Sequence, residues 1–364
     1  PIFGVRLIIH PIVQVVRDAK GKRTGLAPSA KEGAPKEGIA ESIMQIRVPA
    51  RSSPEILEQV QAGLASVLAD VRAAVADWRA MRKKVLDDVA EIEANPPPLP
   101  QEEIKESIEF LRWLEADHFT FLGYRDFRYE AKTGRMIVND ASGLGVVRDP
   151  AFHIFGGMRN ISELPAEVRA EIERPTLVNI AKGNRLSSVH RPVLLDVITI
   201  KDIDKSGAVV GQWQAVGLFT SVAYNESVRS IPLLRHKVDE TLKRAGFTPG
   251  SHNGKNLATI LETFPRDELL QVDQDLLFDM AMGILHLQER QRIALFLRPD
   301  TFRRFISCLV YVPRDIYNTD LRRKFQAILE QTLHGPVTQF YTQISDSVLR
   351  SEEHTSELQS RLHL

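Results

Sequence analysis

The chain has 364 residues, room for two to three domains, with 43% hydrophobic and 26% charged residues to supply ordinary cores and an ordinary wet surface. Its 47 Lys and Arg against 47 Asp and Glu exclude the basic excess of a nucleic-acid binder. No apolar run reaches the roughly 18 to 20 residues that span a bilayer, and the one cysteine, Cys308, lies in the apolar run FISCLVYV as a buried, inert thiol, so the expectation is a soluble cytoplasmic protein.

The chain opens on Pro1, and residues 2–16 cluster apolar side chains (Phe3, Val5, Leu7, Ile9) as one strand. The stretch DAKGKRTGLAPSAKEGAPKEG, 18–38, is too rich in Gly, Pro, Ala and Lys to bury anything and reads as a mobile loop before a second strand around IMQIRV. RSSPEILEQV starts a helix, with Ser53 as cap, Pro54 at the first turn and Glu55 against the dipole. Leu57, Val60, Leu64, Val67, Val71, Val75 and Trp78 recur every three or four residues and are expected on one buried stripe. NPPPLP, 95–100, breaks the helical region as a linker, and a second helix follows with the stripe Ile104, Ile108, Leu111, Leu114.

The texture then turns to β. FTFLGYRDFRYE, RMIV, TLVNIAK, PVLLDVITIK and WQAVGLFTSVAY, joined by Gly-bearing turns, predict a mostly antiparallel sheet over 117–225, with a short helix near PAEVRAEI laid over it. Helices occupy 226–290, the last marked by Leu276, Met280, Ile284 and Leu287. RIALFLRPD and RRFISCLVYV read as paired strands, LRRKFQAILEQTL as a helix and VTQFYTQI as a strand without a later partner, a β-α-β unit cut short. From Ser351 onward neither a helical nor a strand period can be written, so the tail is expected to pack against nothing.

Chemical motifs are sparse. DIDKSG, 202–207, opens like a calcium loop but offers Trp213 where a bidentate carboxylate is required, and is better read as a hairpin turn. GSHNGKN, 250–256, has a spacing too short for a phosphate loop and reads as a solvated interhelical loop; GLGVV, 143–147, lacks the third glycine of a dinucleotide fingerprint and reads as a turn. Lys182 and Lys255 read as solvated loop residues, and the histidines never take a metal-binding spacing. The most suggestive loop is YVPRDIYNTDLR: Arg314, Asp315 and Asn318 lie between a strand end and a helix start, where a small effector can be received, while helix capping by Asn318 or Thr319 explains the same residues without a ligand.

Three segments, FLRWLEADHFTFLGYRDFR, SSVHRPVLLDVITIK and LVYVPRDIYNTDLRRKFQAIL, resemble in order the N-terminal part of the large bacterial NAD-specific glutamate dehydrogenases. The resemblance covers Pro1 to Leu349. It implies an α+β fold, with ACT-like (ferredoxin-like) pieces flanking a PAS-like antiparallel sheet domain and long helices joining them. On this reading residues 1–94 end a first ACT-like domain and its long helix, 95–116 are linker and helix, 117–225 are PAS-like, 226–290 are a helical connector, and 291–349 begin a second, truncated ACT-like domain. Arg350 to Ser360, RSEEHTSELQS, resembles the in-frame translation of a sequencing-library adapter, which implies that 350–364 are a disordered tail foreign to the family.

The parent reaction implied is oxidative deamination of L-glutamate to 2-oxoglutarate and ammonium with NAD. This portion is then a regulatory and assembly segment with a downstream catalytic region as partner, a homo-oligomeric state and an amino-acid effector as expectations. No catalytic, cofactor-binding or metal residue is assigned within it, and it is expected to bind no NAD, nucleic acid or membrane. A stand-alone ACT/PAS small-molecule sensor is the other function open at this point.

Overall fold

A computed structural model describes residues 4–27, 38–49, 53–130, 134–149, 152–155, 163–248, 250–289, 292–343 and 349–357. The chain forms two units, Pro1–Ser66 and Val67–Leu364. The first contains β1 (Leu7–Ile9), β2 (Ile12–Arg17), β3 (Arg23–Leu26), β4 (Ile39–Ser42) and β5 (Gln45–Arg47). The expected single strand over 2–16 is interrupted at His10 and Pro11, and its two halves join different sheets: β1 pairs with β5, and β2 lies between β3 and β4. A proline has no N–H to give a ladder, so the switch falls there. The 18–38 segment is not all loop, because Asp18 turns the chain by accepting from the Lys20 and Lys22 N–H groups at 2.9 Å and Arg23–Leu26 then pairs with β2. The rest of that expectation, 28–37, lies outside the described residues.

Helix α1 (Pro54–Ala94) corrects a second expectation. Leu57, Leu64, Val67, Val75 and Trp78 are exposed, and the buried face is Ala74, Asp77, Met81, Val85, Val89 and Ile92. The apolar period is real, but only the C-terminal half of the helix has a layer packed on it among the described residues. NPPPLP is a corner between two helices of one core, with Leu99 packed against that core.

Helix α2 (Gln101–Trp113) buries its expected stripe and passes through a π turn, Leu114–His118, into β6 (Phe119–Glu130). There follow β7 (Arg135–Val138), β8 (Leu144–Gly145), α3 (Ala166–Glu173), β9 (Val178–Leu186), β10 (Leu194–Ile203) and β11 (Val209–Phe219). They form an antiparallel sheet in the order β7-β6-β11-β10-β9, with β8 on β6. Asp204 accepts from the Ser206 and Ala208 N–H groups and turns β10 into β11, so DIDKSG is a hairpin turn. One sheet face, including Phe121, Tyr124, Ile198, Ile200 and Trp213, packs on α1, α2 and the later helices. The other carries Leu122, Val197, Val216 and Leu218 under Val146, Val147, Phe152 and Ile154. Gly145 has φ +63°, and an added Cβ would lie 2.0 Å from the Leu122 carbonyl oxygen, so the crossing admits only glycine.

The helical segment comprises α4 (Ser221–Asn225), α5 (Leu234–Ala245), α6 (His252–Thr263), α7 (Arg266–Gln271) and α8 (Gln274–Glu289). GSHNGKN is half helix: Ser251 caps α6 by accepting from the Gly254 N–H, and Lys255 lies exposed in the first turn. Two charges withdrawn from bulk water tie the helices. Glu106 of α2 receives the Arg235 guanidinium and the Leu233 N–H at 2.8 Å, holding Leu233 at φ +68°. Lys237 is half-buried and donates to the Leu269, Leu270 and Val272 carbonyls at 3.1, 3.2 and 2.8 Å, which closes the C-terminus of α7.

The last sheet has the order β12-β13-β15-β14, from β12 (Ala294–Pro299), β13 (Phe305–Pro313), β14 (Val337–Gln343) and β15 (Leu349–Glu357), with α9 (Thr319–Leu333) between β13 and β14. Strand β14 therefore has a partner, and the tail expected to pack against nothing enters the sheet between β13 and β14. Strand pairing uses main-chain N–H and C=O groups, which every sequence supplies, so a stretch without apolar alternation can still occupy the slot a split β-α-β unit leaves open. Residues 358–364 lie outside the description. The helical segment is joined to this sheet by a buried bidentate ion pair: Arg298 Nε and Nη2 donate to Glu268 at 2.6 and 2.7 Å.

Two predictions follow from these buried charges. Arg298→Ala leaves the Glu268 carboxylate buried alone and costs about 3–5 kcal/mol in urea unfolding, whereas the apolar pair Arg298→Met with Glu268→Leu recovers most of that loss. Burial, then the Arg298 charge, lowers the Lys237 ammonium from 10.5 to about 8. Between those values the unfolded state binds more protons than the folded state, so the Lys237 contribution makes stability rise with pH from about 8 to 10.5; Lys237→Met removes that rise, up to about 3 kcal/mol, in a pH series of unfolding curves.

Candidate functional site

Strands that alternate apolar and polar residues are expected to turn the polar members to water. In the middle sheet they do not all reach it. Asn179 on β9 stands opposite Thr199 on β10, Thr199 opposite Gln214 on β11, and Gln214 opposite Arg125 on β6, so one row of polar side chains crosses four strands. The next row is Lys201, Gln212, Phe127 and Val138. Thr199, Gln214, Arg125 and Lys201 are all buried, because α3 and residues 152–155 cover this face.

Between floor and cover lies a cavity of about 100 Å³. Its walls are apolar on the cover side, from Phe152, Ile154, Phe155 and Ile172, and from Met136 at the β7 edge. Phe302, from the turn between β12 and β13, closes one side, its ring 5.3 Å from that of Phe155. The same turn sets Arg304 against Asp300 at 2.7 Å and against Asn184 at 2.8 Å, with its guanidinium 4.8 Å from the Phe155 ring. The cavity therefore lies where the middle sheet meets the last one.

The polar lining is unevenly satisfied. Arg125 donates to the Val147 carbonyl and, at 3.1 Å, to that of Asp149. Lys201 donates to the Glu171 and Arg174 carbonyls at 2.8 Å each, the C-terminal end of α3, where a cation complements the helix dipole. Burial lowers its ammonium to about 8. Asn179 Oδ1 is buried without a hydrogen-bond partner among the described residues.

A second polar cluster is structural. Lys182, read from sequence as a solvated loop residue, is inside β9 and largely shielded from water, its Nζ 2.7 Å from Asp196 and 3.2 Å from Asp267, while the Tyr224 hydroxyl donates to Asp267 at 2.7 Å. Burial alone would lower the lysine, but the two carboxylates outweigh it and hold it well above its ordinary value. The cluster ties the sheet to α4 and α7.

Arg314, Asp315 and Asn318 are exposed on the turn from β13 to α9. Asn318 is the N-cap of α9, its Oδ1 accepting from the Leu321 N–H at 2.8 Å, so its side-chain oxygen is committed to the helix. Cys308 is buried and its thiol is pushed up to about 12, as a core residue requires. No group of three His, Cys, Asp or Glu is placed to hold a metal ion, and no helix is long and apolar enough to cross a membrane, among the described residues.

Comparison with known proteins places these elements. The ACT1 domain of glutamate dehydrogenase matches residues 3–64, its helical motif 1 matches 231–290, and its ACT2 domain matches 294–355. The chain belongs to the glutamate dehydrogenase family. It is 39% identical over 95% of its length to an NAD-specific glutamate dehydrogenase of Halomonas elongata and 38% identical over 95% to one of Pseudomonas aeruginosa, spanning 21% of each. A Mycobacterium tuberculosis enzyme of the same name is 30% identical over 93% of the chain, which spans 20% of it. The matched ACT domains are ferredoxin-like, and the last sheet, with β15 between the parallel-running β13 and β14, is the split β-α-β arrangement of such a fold. The middle sheet of this chain, which lies between the matched domains, thus contains a covered polar floor that sequence reading missed. The signal was present as Thr199 and Lys201, and as Gln212 and Gln214, at alternate strand positions, but alternation alone assigns such residues to water.

Because Gln214 is buried in the floor, Gln214→Met should raise the unfolding midpoint, by about 1 kcal/mol in stability, as a buried amide is replaced by an apolar side chain of similar size. Thermal unfolding of the purified chain measures it.

Proposed function

We propose that this chain is the regulatory and assembly segment of an NAD-dependent glutamate dehydrogenase, whose catalytic core, carried elsewhere in the parent protein, oxidatively deaminates L-glutamate to 2-oxoglutarate and ammonium in the cytoplasm. The observation that carries this reading is the order of the three matches, ACT1, helical motif 1 and ACT2, in a chain spanning 21% of its relatives. NAD itself does not fit the described residues. A dinucleotide site needs a strand, a glycine-rich turn and a helix N-terminus in a parallel sheet, whereas the strand pairings here are antiparallel and GLGVV runs from β8 into a 3-10 turn at Val146–Arg148.

In this reading 1–94 end a first ACT-like domain and its helix, 95–116 connect, 117–225 are PAS-like, 226–290 are the helical connector and 291–349 open the second ACT-like domain. The PAS-like assignment is supported by an antiparallel sheet whose first and last long strands, β6 and β11, pair at its centre. Homo-oligomeric assembly is supported by the exposed stripe of α1, Leu57, Leu64, Val67, Val75 and Trp78. Effector contact at the β13–α9 turn, through Arg314 and Asp315 beside Asn318, is supported by their exposure next to a helix start. A stand-alone ACT/PAS sensor is the second reading, favoured by a cavity that this chain lines by itself.

The purified chain should neither bind NAD in calorimetry nor form NADH with saturating glutamate, while the complete parent enzyme does both. Micromolar NAD binding by the chain, or turnover abolished by a point change within it, would overturn the assignment.

A further inference from the structure

The cavity has a chemistry of its own. Its floor is mostly polar and its cover mostly apolar, with His153 and Glu171 as the polar members of the cover, and its volume of about 100 Å³ restricts it to a small molecule. Lys201 has no carboxylate within ion-pair distance among the described residues, its two acceptors being main-chain carbonyls, so one N–H of the ammonium remains for a further acceptor. The carboxylate that also lines the cavity, Glu171, is engaged by Arg174 at 2.9 Å. Arg125 adds a second buried cation to the same floor. A buried polar acceptor left unpaired, as Asn179 Oδ1 is among the described residues, costs stability, and a fold retains it where a ligand completes it.

We propose that this cavity binds a short-chain carboxylate, its carboxylate on Lys201 and the Gln214–Arg125 end of the polar row, its aliphatic tail under Phe155 and Phe302. Asn179 Oδ1, buried and without a partner among the described residues, accepts from a donor on the ligand, so an acid with an amino group at its second carbon is preferred over the unsubstituted acid. The lowered ammonium of Lys201 agrees with this, since the anion offsets the cost of burying its charge. Phe302 belongs to the turn that also holds Arg304 on Asp300 and Asn184, so filling the cavity acts on the contact between the middle and last sheets. As a regulatory site this rests on the function proposed above; as a binding site it stands without it.

The test is calorimetric titration of the whole 364-residue chain with butanoate, 2-oxobutanoate and L-2-aminobutanoate, with butanamide and butylamine as matched controls. The acids are expected to bind with submillimolar Kd, at least tenfold tighter than the amide and the amine, and L-2-aminobutanoate tightest. Lys201→Met should weaken the acids at least tenfold and leave the amide unchanged. Asn179→Leu should erase the preference for the amino acid, and Phe302→Ala should weaken every member. Should Lys201→Met fail to fold, the acid-to-amide ratio on the unaltered chain and the loss of acid binding in Gln214→Met decide the matter. Absence of acid binding to the folded chain, equal binding of acid and amide, or undiminished binding in Lys201→Met or Gln214→Met would overturn the site. Acid binding that leaves the parent enzyme's turnover unchanged would overturn the regulatory role and keep the site.

Discussion

The second unit depends on the pairing of Arg298 with Glu268. Both side chains are almost fully withdrawn from water, and two parallel hydrogen bonds of 2.6 and 2.7 Å replace the hydration each has lost. Desolvating two charges consumes most of what their attraction returns, so the pair contributes specificity more than net stability. Its effect is positional: a Glu in α7 and an Arg in β12 satisfy each other in one arrangement, and the last sheet is seated on the helical segment in that arrangement. The β12–β13 turn is thereby held where Phe302 can close the cavity and Arg304 can reach Asn184.

Similar logic recurs along the helices. Glu106 against Arg235, Lys237 against three carbonyls of the α7 end, and Lys182 between Asp196 and Asp267 each place a charge in a low-dielectric setting and satisfy it from another element. The helical segment is thus fastened on one side to the middle sheet and on the other to the last one by directional contacts. Apolar burial supplies the cohesion between these layers, through Leu257, Leu261, Leu269, Leu277 and Met280 among others, but it does not choose their orientation.

The polar floor of the cavity is the counterpart of these satisfied charges. Asn179, Thr199 and Gln214 occupy a sheet face that continues as Val197, Val216 and Leu218, where apolar residues would have packed more stably. Departures of this kind from consistent local chemistry fall at functional sites. The middle sheet is therefore apolar at one end, where it must hold its cover, and polar at the other, where it meets the cavity.

Periodicity was enough to read α2, α8, the four long strands of the middle sheet (β6, β9, β10 and β11) and β13, because most of their apolar residues are buried where their spacing places them. The Pro11 break, the strand at Arg23–Leu26 and the place of Leu349–Glu357 were not legible, since main-chain pairing leaves little trace in side-chain pattern. Nor was the exposure of the α1 stripe: a period shows which residues share a face, and only the presence of a partner layer decides whether that face is buried. The capping role of Asn318 was readable beside its alternative, whereas the pairing of Lys182 with Asp196 and Asp267 was not. The sequence by itself determined the α+β class, the order of the helices and long strands, and the family, because these rest on local spacing and on runs of residues. Tertiary structure alone decided that Lys201, Gln214 and Asn179 face a covered cavity and that Phe302, more than a hundred positions from Asn179, closes it, because burial is a property of what lies across the gap.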